Sequence, residues 1–176
     1  QKCKNIRLLI VDVDGVLTDG GRYYSKNGEE LKKFHTRDGM GINNLLRQKI
    51  KTVILTKDKS SITRKWAKEM NIDHVYEGFK EKEQALEDIC KKYRIELKNI
   101  AFIGDDINDI EVLKIVGFSV VPNDAAFQTK KIAHYVCKTG GGKGCVRELT
   151  DLILLVKFPT KTKWYWPKII IVGQIN

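Results

Sequence analysis

Residues 6–20 read IRLLIVDVDGVLTDG, and this stretch decides the fold. Apart from Arg7, residues 6–11 are a continuous apolar run. Such a run reads as a strand buried on both faces, which belongs in a parallel sheet covered by helices. The run ends in Asp12 and Asp14. Positions i and i+2 of a strand point to the same side, so a strand continued through Asp14 aims both carboxylates at one spot. Like charges this close repel unless a cation or a shared proton lies between them. Asp14-Gly15 is also a common turn dipeptide, but a turn does not account for an acid at position 12, directly inside an apolar run.

Outward from this stretch, short apolar runs alternate with longer amphipathic segments. Residues 52–56 and 100–103 read as two further buried strands, and 74–76 as a short one. Helices are expected over 38–48, with Asp38 as N-cap, over 60–70, started by Ser60, and over 80–93 and 107–116. The segments 118–121, 125–129, 135–137 and 145–156 continue the alternation. Repeated strand–helix–strand order predicts a three-layer, Rossmann-like α/β fold, a parallel sheet with helices on both faces. Residues 22–34 read as a small β-hairpin turning at Asn27-Gly28.

In such sheets ligands bind outside the carboxyl ends of the strands. The residues at those ends are Asp12 and Asp14, Thr56, and Asp105 with Asp106 in FIGDDINDI, residues 102–110. Asp109 falls in the first turn of the next helix. Acids near a helix start can be explained as caps, but two acidic clusters on two strands of one sheet cannot. Together they form a hard, oxygen-only cation site suited to Mg²⁺. Thr56 and Lys82 add a hydroxyl donor and an ammonium. A cation, a hydroxyl and a Lys around paired Asp residues suit a phosphate, and one Asp can attack phosphorus.

The bulk properties agree with a globular protein and set limits on function. The sequence has 176 residues, of which 42% are hydrophobic and 31% charged, and this composition argues against disorder. A chain of this length predicts one domain, residues 1–157, followed by a tail, 158–176. The net charge of +10 fits an anionic partner or a lysine-coated surface. The lysines are spread along the chain and no recognition motif accompanies them, so no nucleic-acid partner is expected. No stretch approaches 18 apolar residues, so no membrane partner is expected either. The first apolar run ends in two carboxylates, unlike the core of a signal peptide. Four scattered Cys without a CxxC pair argue against a zinc site and suit reduced thiols in the cytoplasm. Cys90 and Cys145 read as small core residues.

The set DVDGVLTDG, Leu55-Thr56, Lys82 and GDDIND resembles, in order, the four motifs of the haloacid dehalogenase superfamily of phosphatases. Within it, FHTRDGMGI (34–42), VPNDA (121–125) and GGKGCVRE (141–148) resemble the 3-deoxy-D-manno-octulosonate 8-phosphate phosphatases. The resemblance runs from about residue 6 to 155. It implies a magnesium-dependent hydrolase of a keto-deoxy sugar acid phosphate, an enzyme of lipopolysaccharide biosynthesis. Asp12 would be the nucleophile that forms an aspartyl-phosphate. Asp14 would protonate the leaving alkoxide and then activate water. Mg²⁺ would sit on Asp12, the backbone carbonyl of Asp14, and Asp105. Asp106 and Asp109 would support water and Lys82, while Thr56 and Lys82 hold phosphoryl oxygens. His35, Thr36, Arg37, Asp38 and Gly39 would line the sugar pocket. The family carries no cap domain, and gaps of 42 residues from Asp14 to Thr56 and 26 from Thr56 to Lys82 leave no room for one. Its members form homotetramers in which a hairpin, here 22–34, covers a neighbouring site.

Three features depart from the family pattern. The second motif usually runs Thr or Ser, Gly, Arg, but here it is Thr56-Lys57-Asp58. The acid resembles that of the nine-carbon ketodeoxynonulosonate 9-phosphate phosphatases, which makes that substrate the alternative. Asp58 would face the sugar pocket and either repel the substrate carboxylate or pair with a cation such as Arg37. Trp66 replaces a frequent Arg. The tail FPTKTKWYWPKIIIVGQIN, 158–176, has no counterpart, and its β-branched run is expected to pack against a neighbouring subunit. A further alternative is a non-catalytic assembly domain like that of acylneuraminate cytidylyltransferases, although such domains have lost motif residues that are all present here.

Overall fold

The computed structural model describes residues 2–28 and 30–159. The expected role of the tail falls outside these residues. A six-stranded parallel sheet forms the middle layer, in the order β5-β4-β1-β6-β7-β8. Its strands are β1 (Leu8–Val11), β4 (Lys51–Thr56), β5 (His74–Glu77), β6 (Ile100–Ile103), β7 (Phe118–Val121) and β8 (Tyr135–Val136). β2 (Tyr23–Tyr24) and β3 (Glu30–Leu31) form a separate antiparallel pair. Gly28, at φ +79°, takes the left-handed turn position that Asn27-Gly28 suggests.

Alternation along each strand divides the core in two. Leu9, Val11, Ile54, Ala101 and Ile103 face one layer, made by α1 (Thr36–Arg47), α2 (Ser61–Glu69) and α6 (Cys145–Lys157). There they meet Ile42, Leu45, Val146, Leu149 and Ile153. Leu8, Ile10, Val53, Leu55 and Phe102 face the opposite layer, where Leu86 and Ile89 of α3 (Leu86–Tyr93) and Val112 and Leu113 of α4 (Ile110–Ile115) cover them. The short α5 (Phe127–Ile132) precedes β8. Each of the Val, Leu, Ile and Phe side chains among these contributes on the order of 1.5–3 kcal/mol by leaving water. Cys145 is fully buried and Cys90 half-buried at the edge of the second cluster.

Three elements differ from the sequence reading, and one of them, the helix expected over 107–116, is a 3-10 turn, Ile107–Asp109, followed by α4. The helix expected over 80–93 is a 3-10 turn, Lys82–Ala85, followed by α3. α1 begins two residues before Asp38, with His35 Nδ1 accepting the Arg37 N–H as its cap. Asp38 is instead fully buried and accepts the Arg147 N–H at 2.7 Å, at the start of α6. Burial raises its pKa to about 6 against the pull of those amides.

Sheet order also locates the crevice. From β1 the chain builds β4 and β5 on one side, then crosses to β6, β7 and β8 on the other. β1 is therefore the switch point, and the loops leaving β1, β4 and β6 diverge around a gap at their carboxyl ends.

Candidate active site

A cavity of about 450 Å³ occupies that gap, lined by Asp12, Asp14, Arg22, Thr56, Lys57, Asp58, Lys82, Asp105 and Asp106 among others. Asp12 follows β1, and its backbone N–H still donates to Ile103 O at 3.0 Å, so the ladder fixes its position. Beyond it the chain leaves the extended form. Gly15 has φ +85°, and a Cβ there would run into the Asp105 carboxylate. This turn, Val13–Leu17, replaces the strand continuation assumed for Asp14. Asp14 still lines the cavity, but Lys32 holds its carboxylate, with Nζ 2.9 Å from both oxygens. The Lys32 side chain is 1% exposed and that of Asp14 32%, so the lysine is withdrawn from solvent while the carboxylate still reaches the cavity.

Lys82 is fully buried between Asp12 (2.9 Å) and Asp109 (2.6 Å). Burial pulls its pKa down, yet the two carboxylates outweigh that and leave it raised. Asp109 Oδ2 also accepts the N–H groups of Asp105 and Asp106, so one buried acid fixes both Lys82 and the loop after β6. Asp106 Oδ1 in turn accepts the Ile107 N–H at 2.8 Å. Thr56, the last residue of β4, is buried at the cavity wall.

Asp12, Asp105 and Asp109 each offer a carboxylate oxygen within 4.8 Å of the other two. Asp109 already has its lysine and two amides. The donors left are Asp12 and Asp105, with the chain at Asp14 between them in sequence. Burial, with Asp109 adding to it against the pull of Lys82, raises Asp12 to about 7. Burial with Asp12 and Asp109 raises Asp105 to about 8. A buried and a half-buried acid held this high are short of positive charge, and an oxygen-only donor set suits a hard divalent cation such as Mg²⁺.

A pH prediction follows from these shifts. Unfolded carboxylates titrate near 3.9, so between about pH 4 and 8 Asp12 and Asp105 hold more protons in the folded metal-free protein than in the unfolded chain. Their contribution to stability therefore falls as pH rises through that window. Divalent cation replaces those protons, so Mg²⁺ raises the melting temperature more at pH 8 than at pH 6. Thermal melts in EDTA and in Mg²⁺ at both values check this, and an equal or larger gain at pH 6 contradicts it.

The sequence-predicted residues divide clearly. Asp12, Asp14, Thr56, Asp58, Lys82, Asp105 and Asp106 come together at the cavity, with Asp109 directly behind. His35, Thr36, Arg37, Asp38 and Gly39 are not among its lining residues. They form the start of α1, where Asp38 binds α6. The partners of Asp58 are Arg22 and Lys32, not Arg37. Arg22 and Lys32 were missed as site residues. The only available signal was a basic residue at each end of the hairpin, and lysines are too common in this sequence for that to stand out. A second hollow, of about 410 Å³, lies at the amino ends of β1 and β4. Two of its four lysines are already engaged, Lys51 with Asp73 and Lys157 with the carbonyls of Lys4 and Ile6.

Comparison with known proteins agrees with this geometry. The haloacid dehalogenase-like hydrolase family matches residues 42–149. A 3-deoxy-D-manno-octulosonate 8-phosphate phosphatase of Escherichia coli K12 is 44% identical over 156 residues, covering 89% of this chain and 83% of the relative. The chain belongs to the 3-deoxy-D-manno-octulosonate 8-phosphate phosphatase family. Solved structures of that family superpose closely. The phosphatase from Yersinia pestis has a TM-score of 0.88 at 41% identity, covering 89% of this chain and 85% of its own. The phosphatase from Moraxella catarrhalis was solved with magnesium, phosphate and 3-deoxy-D-manno-octulosonate (KDO), and has a TM-score of 0.86 at 38% identity, with 88% of each chain covered. The fold is thus the Rossmann-like α/β fold of these phosphatases. Among the described residues no helix is long and apolar enough to cross a membrane.

Proposed function

We infer that this protein is a magnesium-dependent phosphatase that hydrolyses 3-deoxy-D-manno-octulosonate 8-phosphate. The observation that carries the reading is the convergence of Asp12, Thr56, Lys82 and Asp105 at one switch point, in a chain 44% identical to an enzyme of that name over nearly its whole length. The Moraxella relative, bound to magnesium, phosphate and KDO, supports the same cofactor and substrate class.

The carboxylates of Asp12 and Asp105 and the backbone carbonyl of Asp14 would hold Mg²⁺, which would supply positive charge where phosphoryl oxygens collect. Lys82, fixed by Asp109, holds the Asp12 carboxylate in one orientation and offers its ammonium to a phosphoryl oxygen. Thr56 donates its hydroxyl to another. Asp12 attacks phosphorus in line with the sugar oxygen, giving an aspartyl-phosphate and releasing the alkoxide. Asp14 gives that oxygen a proton, then removes one from the water that hydrolyses the intermediate. Lys32 keeps the Asp14 carboxylate at the cavity wall, and Asp106 supports water at its rim.

The protein acts in the cytoplasm as a homotetramer whose hairpin tip covers a neighbouring site. Tyr23, Tyr24 and Leu31 are about half or more exposed, which favours burial of this tip against another copy. The eight-carbon relatives favour that substrate over the nine-carbon alternative, and the complete motif set favours an enzyme over an assembly domain. A screen of eight- and nine-carbon keto-sugar acid phosphates with Mg²⁺ tests the reading. The expected result is the highest kcat/KM on the eight-carbon ester. A higher value on the nine-carbon ester, or no hydrolysis of either, overturns it.

A further inference from the structure

We propose that the hollow at the amino ends of β1 and β4 is a second binding site, which takes a small ligand carrying a chain of phosphate groups. It lies at the opposite edge of the sheet from Asp12 and Asp105, and it is independent of the phosphatase reading.

The hollow, of about 410 Å³, has an apolar floor of Ile6, Leu8 and Ile50, all buried. Five cations line it: Arg7, Lys49, Lys51, Lys92 and Lys157. They come from separate parts of the fold. Arg7 precedes β1, Lys49 follows α1, Lys51 opens β4, Lys92 is in the last turn of α3, and Lys157 ends α6. No Asp or Glu is among the lining residues. Asp73 stands nearby but is already spent, with Lys51 Nζ at 2.8 Å on one oxygen and the Tyr93 hydroxyl at 2.6 Å on the other.

Helix C-termini favour cations, and this accounts for Lys49, Lys92 and Lys157 one at a time. It does not account for Arg7, which stands before a strand. Lys157 Nζ donates to the carbonyls of Lys4 and Ile6 at 2.8 Å each, so its charge is fixed in place without a carboxylate. Burial first, and then the charge of Arg7, hold its pKa below the usual lysine range. Lys92 rests against the rings of Tyr76 and Tyr93, 5.8 and 5.9 Å from their centres, which orients its charge without neutralising it. Arg7 and Lys49 form no ion pair among the described residues. Like charges gathered without an acid between them are short of an anion. Five of them around one hollow exceed the needs of a single phosphate and suit several phosphoryl groups. The lysines would act as point charges and Arg7 as a two-pronged donor.

The test uses the full chain in EDTA and about 0.15 M NaCl, with inorganic tripolyphosphate as the titrant in calorimetry. Without a divalent cation the acids of the active site repel that anion, and the salt screens the diffuse attraction of a net charge of +10. The expected result is binding by the parent that weakens about tenfold in the double variant Arg7→Gln, Lys49→Gln. In Lys65→Gln, Lys68→Gln, which removes the same charge from exposed positions on α2, it stays within about twofold. Gln suits the φ of +61° at position 49 no worse than Lys does, and no ion pair is lost, so the ligand-free Arg7→Gln, Lys49→Gln variant melts no lower than the parent. Absence of binding by the parent overturns the inference, as does unchanged binding by Arg7→Gln, Lys49→Gln. An equal loss in both double variants marks diffuse charge only and overturns it too. A lower melting temperature of the ligand-free Arg7→Gln, Lys49→Gln variant shows that the two cations are already paired within the fold, with the same consequence. A single-stranded oligonucleotide bound more tightly than tripolyphosphate, with the same loss in that variant, overturns the assignment to a small ligand.

Discussion

Asp12→Asn lowers kcat by about 10⁴-fold or more, the size of effect expected when a covalent nucleophile is removed. The substitution keeps the shape of the side chain but removes both the attacking oxygen's charge and a metal donor. Folding survives. Lys82 retains Asp109 at 2.6 Å, and the crowding of acids that raises Asp12 and Asp105 is relieved. The metal-free variant is therefore at least as stable as the parent at pH 8, where those acids are least comfortable. Steady-state rates, with melting curves on the same preparation, check both halves. Retention of more than a few per cent of activity by a folded Asp12→Asn variant is incompatible with an aspartyl-phosphate.

Lys82→Met has the second-largest effect, and it acts on stability as well as rate. The ammonium is the buried cation between Asp12 and Asp109, and both acids are nearly or fully buried. Breaking such an arrangement from one side costs about 3–5 kcal/mol, because it leaves charge buried without a partner. Loss of a donor to the transferring phosphoryl group costs a further 10²–10³-fold or so in kcat. Pairing Lys82→Met with Asp109→Asn separates the two effects. The double variant recovers part of the stability in urea melts because one of the two orphaned charges is gone, and its activity stays low. A double variant no more stable than Lys82→Met alone shows that the lysine does not act through Asp109.

What could be read in the sequence, and what could not, follows the range of the interactions. β6, Ile100–Ile103, is four apolar residues in a row, and burial on both faces follows from that alone. The acids at the ends of β1 and β6 and the threonine closing β4 were visible for the same reason, since each interrupts an apolar run. The periodicity of Ala85, Leu86 and Ile89 gave the helical face, but not the tighter turn at Lys82. That turn is where a lysine tucks between acids placed by other strands. Asp38 looks like a helix cap from its neighbours, and its true partner, Arg147, is 109 residues away. Asp58 and Arg22 are 36 residues apart on segments with no regular pattern. Asp14 reads as a continuation of the strand, whereas β1 ends at Val11 and Asp14 lies in the turn Val13–Leu17. Residues whose role is set by the local pattern were legible, and those set by one distant side chain were not.

The central place of β1 has a consequence for how the chain is made. Leu8–Val11 leaves the ribosome before either of the strands that its two edges pair with, Lys51–Thr56 and Ile100–Ile103. At 5–20 residues per second, the strand waits roughly 5–20 s for its second neighbour. Throughout that wait an edge of four apolar residues is open to pairing with other chains, the condition under which nascent β-strands aggregate. Asp12 and Asp105 also meet only when that second edge closes. Phosphatase activity recovered during refolding therefore cannot appear before β1 closes on β6.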